Sequence, residues 1–225
     1  MADGKPSEAQ LPVRRILYFA DPMCSWCWGF SPVITSIAAA CAGRVAIRLC
    51  TGGLRAGATE PMDERSRAYV RHHWEEVAKQ TGQPFDFAFF QRERFVYDTE
   101  PACRATVAMR NLAPEAALAY LAAVHCAFYA ENRDATDEAV LVEVAEAFVP
   151  PDDFRLVFRA PEVHEATQAD FRLTQGLGIQ GFPTVLLQDG RQLAALTAGW
   201  QPFAALEGPL HAWLHGTPDG TASKP

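Results

Sequence analysis

The sequence lacks any apolar run long enough to cross a bilayer as a helix, so no helical membrane span is expected. It also lacks an excess of positive charge. Lys and Arg number 20 against 27 Asp and Glu, a net charge of −7, which argues against nucleic acid or an anionic membrane surface as a partner. No internal repeat or low-complexity block interrupts it. The first dozen residues, 1–12, have no apolar core of the kind a secretory leader needs, although a leader removed beforehand would leave the same text. The placement expected is therefore cytoplasmic, where thiols stay mostly reduced and a disulfide is more readily catalytic than structural. With 225 residues and 49% hydrophobic composition, the chain can bury one large core, or a core plus an inserted subdomain.

Against these absences stands one dense stretch, 19–30, which reads Phe-Ala-Asp-Pro-Met-Cys-Ser-Trp-Cys-Trp-Gly-Phe. It has the form of a strand end, a tight turn, and a helix starting at or just before a Cys-x-x-Cys pair. Two cysteines so spaced on a first helical turn can close a small disulfide ring. The first sits where unpaired backbone N–H groups and the positive end of the helix dipole favour a thiolate. Cys24 is thus the candidate nucleophile and Cys27 the resolving thiol. Half of a zinc site has the same spacing, but a tetrahedral site needs two more ligands. No second Cys-x-x-Cys exists, and Cys41, Cys50, Cys103 and Cys126 stand singly, as packing residues do. His211 and His215 form an i, i+4 pair far away on the last predicted helix. A redox pair beside a β-α pattern is the preferred reading.

Residues 16–20 form a continuous apolar run ended by Asp21-Pro22, which suits a buried parallel strand. The helix after Cys24 should run to about residue 42, bent by Pro32, and residues 45–50 read as a second strand. The region from Gly57 to Gly178 carries 3.6-residue apolar stripes and no alternating runs, which predicts an almost wholly helical segment. Within it, Val70, His73, Trp74 and Val77 share one face. The aromatic-rich stretch 84–97 has no clear period. His125 lies on an apolar stripe and reads as a core histidine, and Thr136 reads as a helix cap. Residues 184–187 and 192–198 flank Asp189-Gly190, a strong hairpin signal, and Pro202 opens a closing helix. Residues 1–13 read as a loose polar arm and Gly216 to Pro225 as a disordered tail.

The stretch 18–30 resembles the active site of the DsbA-like branch of thioredoxin-fold oxidoreductases, and within it the FrnE-like, "predicted protein-disulfide isomerase" subgroup. Far along the chain, Gly178-Ile179-Gln180-Gly181-Phe182-Pro183-Thr184 is similar to the segment that carries that family's cis-proline. The resemblance implies an α/β thioredoxin fold with an inserted all-helical subdomain: 14–56 and 179–215 as the thioredoxin-like domain, 57–178 as the insertion. It implies thiol–disulfide exchange through Cys24 and Cys27, in the sense of oxidation, reduction or isomerisation. Phe182 and a cis Pro183 would hold the substrate backbone, and Trp26 would form an exposed apolar rim. Asp21 reads either as a turn residue or as an acid close enough to Cys27 to take its proton. No metal or organic cofactor is implied. The partners expected are protein or small-molecule thiols and disulfides, with glutathione open as a redox partner. A kappa-type glutathione transferase or isomerase shares this architecture but generally has serine in place of the nucleophilic cysteine. A chaperone-like binding module using the aromatic rim is the other alternative, and it would not need the cysteines.

Overall fold

The computed structural model describes residues 14–216; the polar arm at 1–13 and the tail beyond Gly216 lie outside them. Strand β1 (Arg14–Ala20) runs into α1 (Ser25–Cys41), which returns the chain to β2 (Ala46–Thr51), parallel to β1. The chain then leaves the sheet for α2 (Glu64–Thr81), α3 (Glu100–Leu112), α4 (Ala117–Tyr129), α5 (Glu138–Ala145), α6 (Pro151–Phe158) and α7 (Pro161–Gly176). It re-enters as the hairpin β3 (Thr184–Asp189) and β4 (Gln192–Ala198) and closes with α8 (Phe203–His215). The sheet order is β2-β1-β3-β4, with β3 antiparallel to both neighbours. This is a mixed α/β thioredoxin fold with a helical insertion between β2 and β3.

The alternation of β1 decides which helices lie on which face. Ile16, Tyr18 and Ala20 point to α1 and α8, meeting Phe30, Ile34, Leu206 and Leu210. Leu17 and Phe19 point the other way, with Cys50, against Leu173 and Leu177 at the end of α7. So the last helix of the 57–178 segment is itself a layer of the sheet domain rather than part of a detached body. A buried carboxylate pins it there: Asp170 accepts from the Thr51 backbone N–H at 3.0 Å and from the Arg110 guanidinium of α3 at 2.6 Å. The Arg48 guanidinium of β2 lies 3.6 Å from the other oxygen of Asp170, so one carboxylate on α7 holds cations from β2 and α3.

Pro32 lies inside α1 and has no N–H for the Trp28 carbonyl. The side-chain amide of Gln83 donates to that carbonyl instead, at 3.0 Å, so a residue from the insertion caps a defect in the active-site helix. The expectation of an almost wholly helical insertion needs one correction. Residues 82–99 hold only a 3-10 turn, Phe87–Gln91, and an isolated antiparallel bridge joins Pro61 to Val96. Aromatic rings drive this stretch inward against Trp74. Its carbonyls are satisfied from outside, as the Arg67 guanidinium donates to those of Phe90, Arg92 and Glu93.

Candidate active site

Cys24 occupies the N-cap of α1 in an extended conformation, and its carbonyl accepts from the N–H groups of Cys27 and Trp28. Its side chain makes no capping hydrogen bond to the first turn. Cys24 is 7% exposed and lines an open cleft of about 450 Å³, while Cys27 is 0% exposed behind it. Burial, and then the hydrogen-bonded Cys24 side chain, push the Cys27 thiol well above its ordinary range. Both cysteines are free thiols in this structure. The pair thus has one accessible sulfur and one protected sulfur. Tyr18 lies beneath them; its buried hydroxyl has no partner among the described residues.

The Phe182–Pro183 peptide bond is cis, and the Phe182 carbonyl accepts from the Cys24 thiol at 3.5 Å. Two bonds tie this loop down: Thr184 Oγ1 donates to the Gly181 carbonyl, and the Gly199 N–H donates to that of Pro183. The tip of the Phe182 ring lies against Gly52, where an added Cβ would sit 2.0 Å from it. Trp26 is half-buried and forms part of the cleft rim. Pro183 itself is buried.

Asp21 is completely buried, and both carboxylate oxygens are occupied away from Cys27. One accepts from the Met23 N–H at 2.9 Å; the other accepts from the Leu54 N–H at 2.7 Å and from the Cys103 thiol at 3.4 Å. Burial raises its pKa and these backbone donors oppose the rise. The geometry is that of a clamp joining the Cys24 turn to the loop after β2, not of a base aimed at Cys27. The sequence leaves Asp21 open between a turn residue and a proton acceptor, because only its proximity to the cysteines is visible there. The clamp partners come from 33 and 82 positions away.

Sequence reasoning missed the far wall of the cleft. Tyr69 and His73 from α2, with Arg55 from the loop after β2, face Cys24, Trp26 and Phe182 across it. The reading of Val70, Trp74 and Val77 as core holds, whereas His73 sits at the edge where that face gives way to the cleft. Among the described residues no group of three or more His, Cys, Asp or Glu side chains is arranged to hold a metal ion.

His125 is fully buried beneath the turn, with Nε2 3.2 Å from the Asp21 carbonyl and Nδ1 3.3 Å from Ser31 Oγ. A carbonyl can only accept, so Nε2 carries the proton of the neutral ring and Nδ1 accepts from the Ser31 hydroxyl. Desolvation lowers the pKa of this imidazole from 6.5 to about 4. The unfolded chain therefore binds a proton in this window that the folded chain refuses. Stability is lost as the pH falls from about 6.5 to about 4, by up to about 3 kcal/mol from this residue. Asp21 acts with opposite sign, since a raised carboxyl gains stability as the pH falls. Urea unfolding of wild type and His125→Gln across this range isolates the term. The variant is expected to have the flatter acid limb, and equal slopes would show that the ring titrates normally.

The family model described as "DSBA-like thioredoxin domain" matches residues 15–210. Among solved structures, a candidate protein disulfide isomerase from Nitrosomonas europaea is 37% identical, with a TM-score of 0.85, covering 90% of this chain and 99% of that one. The cytosolic disulfide reductase DsbM from Pseudomonas aeruginosa is 28% identical, with a TM-score of 0.74, covering 88% and 98%; it is also known with GSH. The ClpXP adapter protein SpxH of Bacillus subtilis is 23% identical over 172 residues, 76% of this chain. The chain spans 56% of the length of that curated relative and 61% of its counterpart in Halalkalibacterium halodurans. A family match over nearly the whole described chain, on a fold with the expected strand order, has one meaning: the chain belongs to the DSBA-like thioredoxin domain family.

Proposed function

We propose that the chain is a thiol–disulfide oxidoreductase in which Cys24 attacks and Cys27 resolves. The observation that carries this is the asymmetry of access: Cys24 lines the cleft and Cys27 is sealed behind it. The Cys24 thiolate attacks one sulfur of a substrate disulfide, forming a mixed disulfide and releasing the other half as a thiolate. Cys27, deprotonated in turn, attacks the Cys24 sulfur; the Cys24–Cys27 disulfide forms and the second half leaves as a thiol. Two equivalents of an external thiol reverse these steps and regenerate the dithiol. Glutathione is the thiol suggested by the DsbM likeness, as is cytosolic work in the reducing direction. Trp26 and the Phe182–Pro183 segment would hold the substrate beside Cys24, and Asp21 would fix the turn that presents it.

Equilibration of the Cys24–Cys27 pair in glutathione buffers, read by alkylation and mass spectrometry, tests the direction. A midpoint between roughly −200 and −270 mV, the span from glutaredoxins to thioredoxin, is expected. A value near that of a strong oxidant, about −120 mV, would reverse the direction. The SpxH likeness favours a second reading, a binding adapter without redox turnover. It predicts that loss of both cysteines leaves function intact.

A further inference from the structure

The cleft beside Cys24 is lined by no Asp or Glu, in a chain with 27 of them. It does contain a guanidinium. Arg55 lies in the loop after β2, half-buried, stacked over the Tyr97 ring with its central carbon 5.1 Å from the ring centroid. Tyr97 is immobilised in turn, its hydroxyl donating to the Met23 carbonyl at 2.7 Å. The Arg55 backbone is fixed as well: its own N–H donates to Thr99 Oγ1 at 3.2 Å, and the preceding N–H, of Leu54, donates to Asp21.

What this guanidinium lacks is a partner. Among the described residues, no carboxylate lies within ion-pair distance of it and no acceptor takes any of its five N–H donors. Other arginines in the fold are consumed by the protein, Arg67 by backbone carbonyls and Arg110 by Asp170 and the Leu49 carbonyl. A cation held in place by an aromatic platform, with every donor unspent and the reactive sulfur in the same cavity, is suited to bind an anion of the substrate.

We infer that Arg55 recognises a carboxylate on the substrate, and that the preferred substrate is a small acidic disulfide. This rests on the oxidoreductase reading and adds a substrate class to it. The size agrees, since a cleft of about 450 Å³ is within the range that small-molecule sites occupy. The protein's overall charge of −7 opposes any long-range attraction of an anion, so a preference for one must come from the cleft.

The test compares three disulfides of similar size: 3,3′-dithiodipropionate with two carboxylates, neutral bis(2-hydroxyethyl) disulfide, and cationic cystamine. For wild type, kcat/KM is expected to be about tenfold higher for the dianion than for the neutral compound, equivalent to about 1.4 kcal/mol, with the difference in KM. Cystamine should be the poorest. In Arg55→Met the ratio of dianion to neutral should collapse towards one; Arg55→Lys should retain part of it, and Arg55→Glu should reverse the order in favour of cystamine. A wild-type ratio of one or below, or a ratio that survives Arg55→Met, overturns the assignment. So does equal loss on both substrates in Arg55→Met at an unchanged melting temperature, because a recognition residue acts selectively. Failure of wild type on all three disulfides would instead overturn the oxidoreductase reading beneath it.

Discussion

Cys24→Ala is expected to reduce turnover of a small disulfide by on the order of 10³-fold or more, to the uncatalysed background, because no accessible nucleophile remains. Cys27 cannot substitute. It is fully buried, and burial, the largest cause that raises its pKa, persists when Cys24 is removed and disfavours its thiolate. Cys27→Ala should fail differently. Attack by Cys24 still forms the mixed disulfide, but internal release is gone, so covalent complexes accumulate on Cys24 and are freed only by added thiol. Intact-mass spectrometry under non-reducing conditions, with the melting temperature of each variant as a check on folding, reads both results. Equal loss in the two variants without a trapped species would remove the assignment of roles. Full activity in the double variant would leave the adapter reading in its place.

The parts of this site that were legible in the sequence are those written locally. The Cys-x-x-Cys spacing, the apolar run before it and Pro183 at a strand opening each occupy a few consecutive residues, and each is where it was expected. The Asp189-Gly190 hairpin is equally local, with Gly190 at φ 58°. The helix cap at Asp137, whose side chain accepts from the Ala139 N–H, was assigned one residue early to Thr136, because either residue can serve and only backbone geometry chooses. Arg55, Tyr69 and His73 were not legible as site residues. Their approach to Cys24 depends on how α2 and the loop after β2 are folded back over α1, and no short motif records that. The Gly52-Gly53 pair held a trace of it: Gly52 leaves room for the Phe182 ring, and Gly53 adopts φ 68° beside the Phe171 ring. Two such glycines mark a loop squeezed between aromatic rings, though not which rings. His125 read correctly as a core histidine, yet its bond to the Asp21 carbonyl needed the tertiary structure.

Trp74→Ala is expected to produce the largest loss of stability of any single substitution considered, about 3–5 kcal/mol. Trp74, on α2, is 1% exposed, and the aromatic stretch 84–97 that has no readable period packs around it. Its ring stacks on Phe89 at 4.9 Å and meets Phe90 and Tyr129 edge-on at the same distance, with Phe85 at 5.2 Å. Truncation removes the transfer free energy of the indole and leaves a cavity whose walls are other rings, themselves packed and slow to collapse. Against a total stability of about 5–15 kcal/mol, that is a large share. For a domain of this size it corresponds to a fall in melting temperature of roughly 6–20 °C. The consequence reaches the site, because Trp74 and Val70 anchor α2 while Tyr69 and His73 of the same helix line the cleft. Trp74→Phe keeps one ring of the stack and should recover more than half of the loss. Calorimetry on the three proteins decides the matter. A loss below about 1 kcal/mol in Trp74→Ala, or a Phe variant as unstable as the Ala variant, would mean that the helical layer is held elsewhere and that the cleft wall does not depend on this ring.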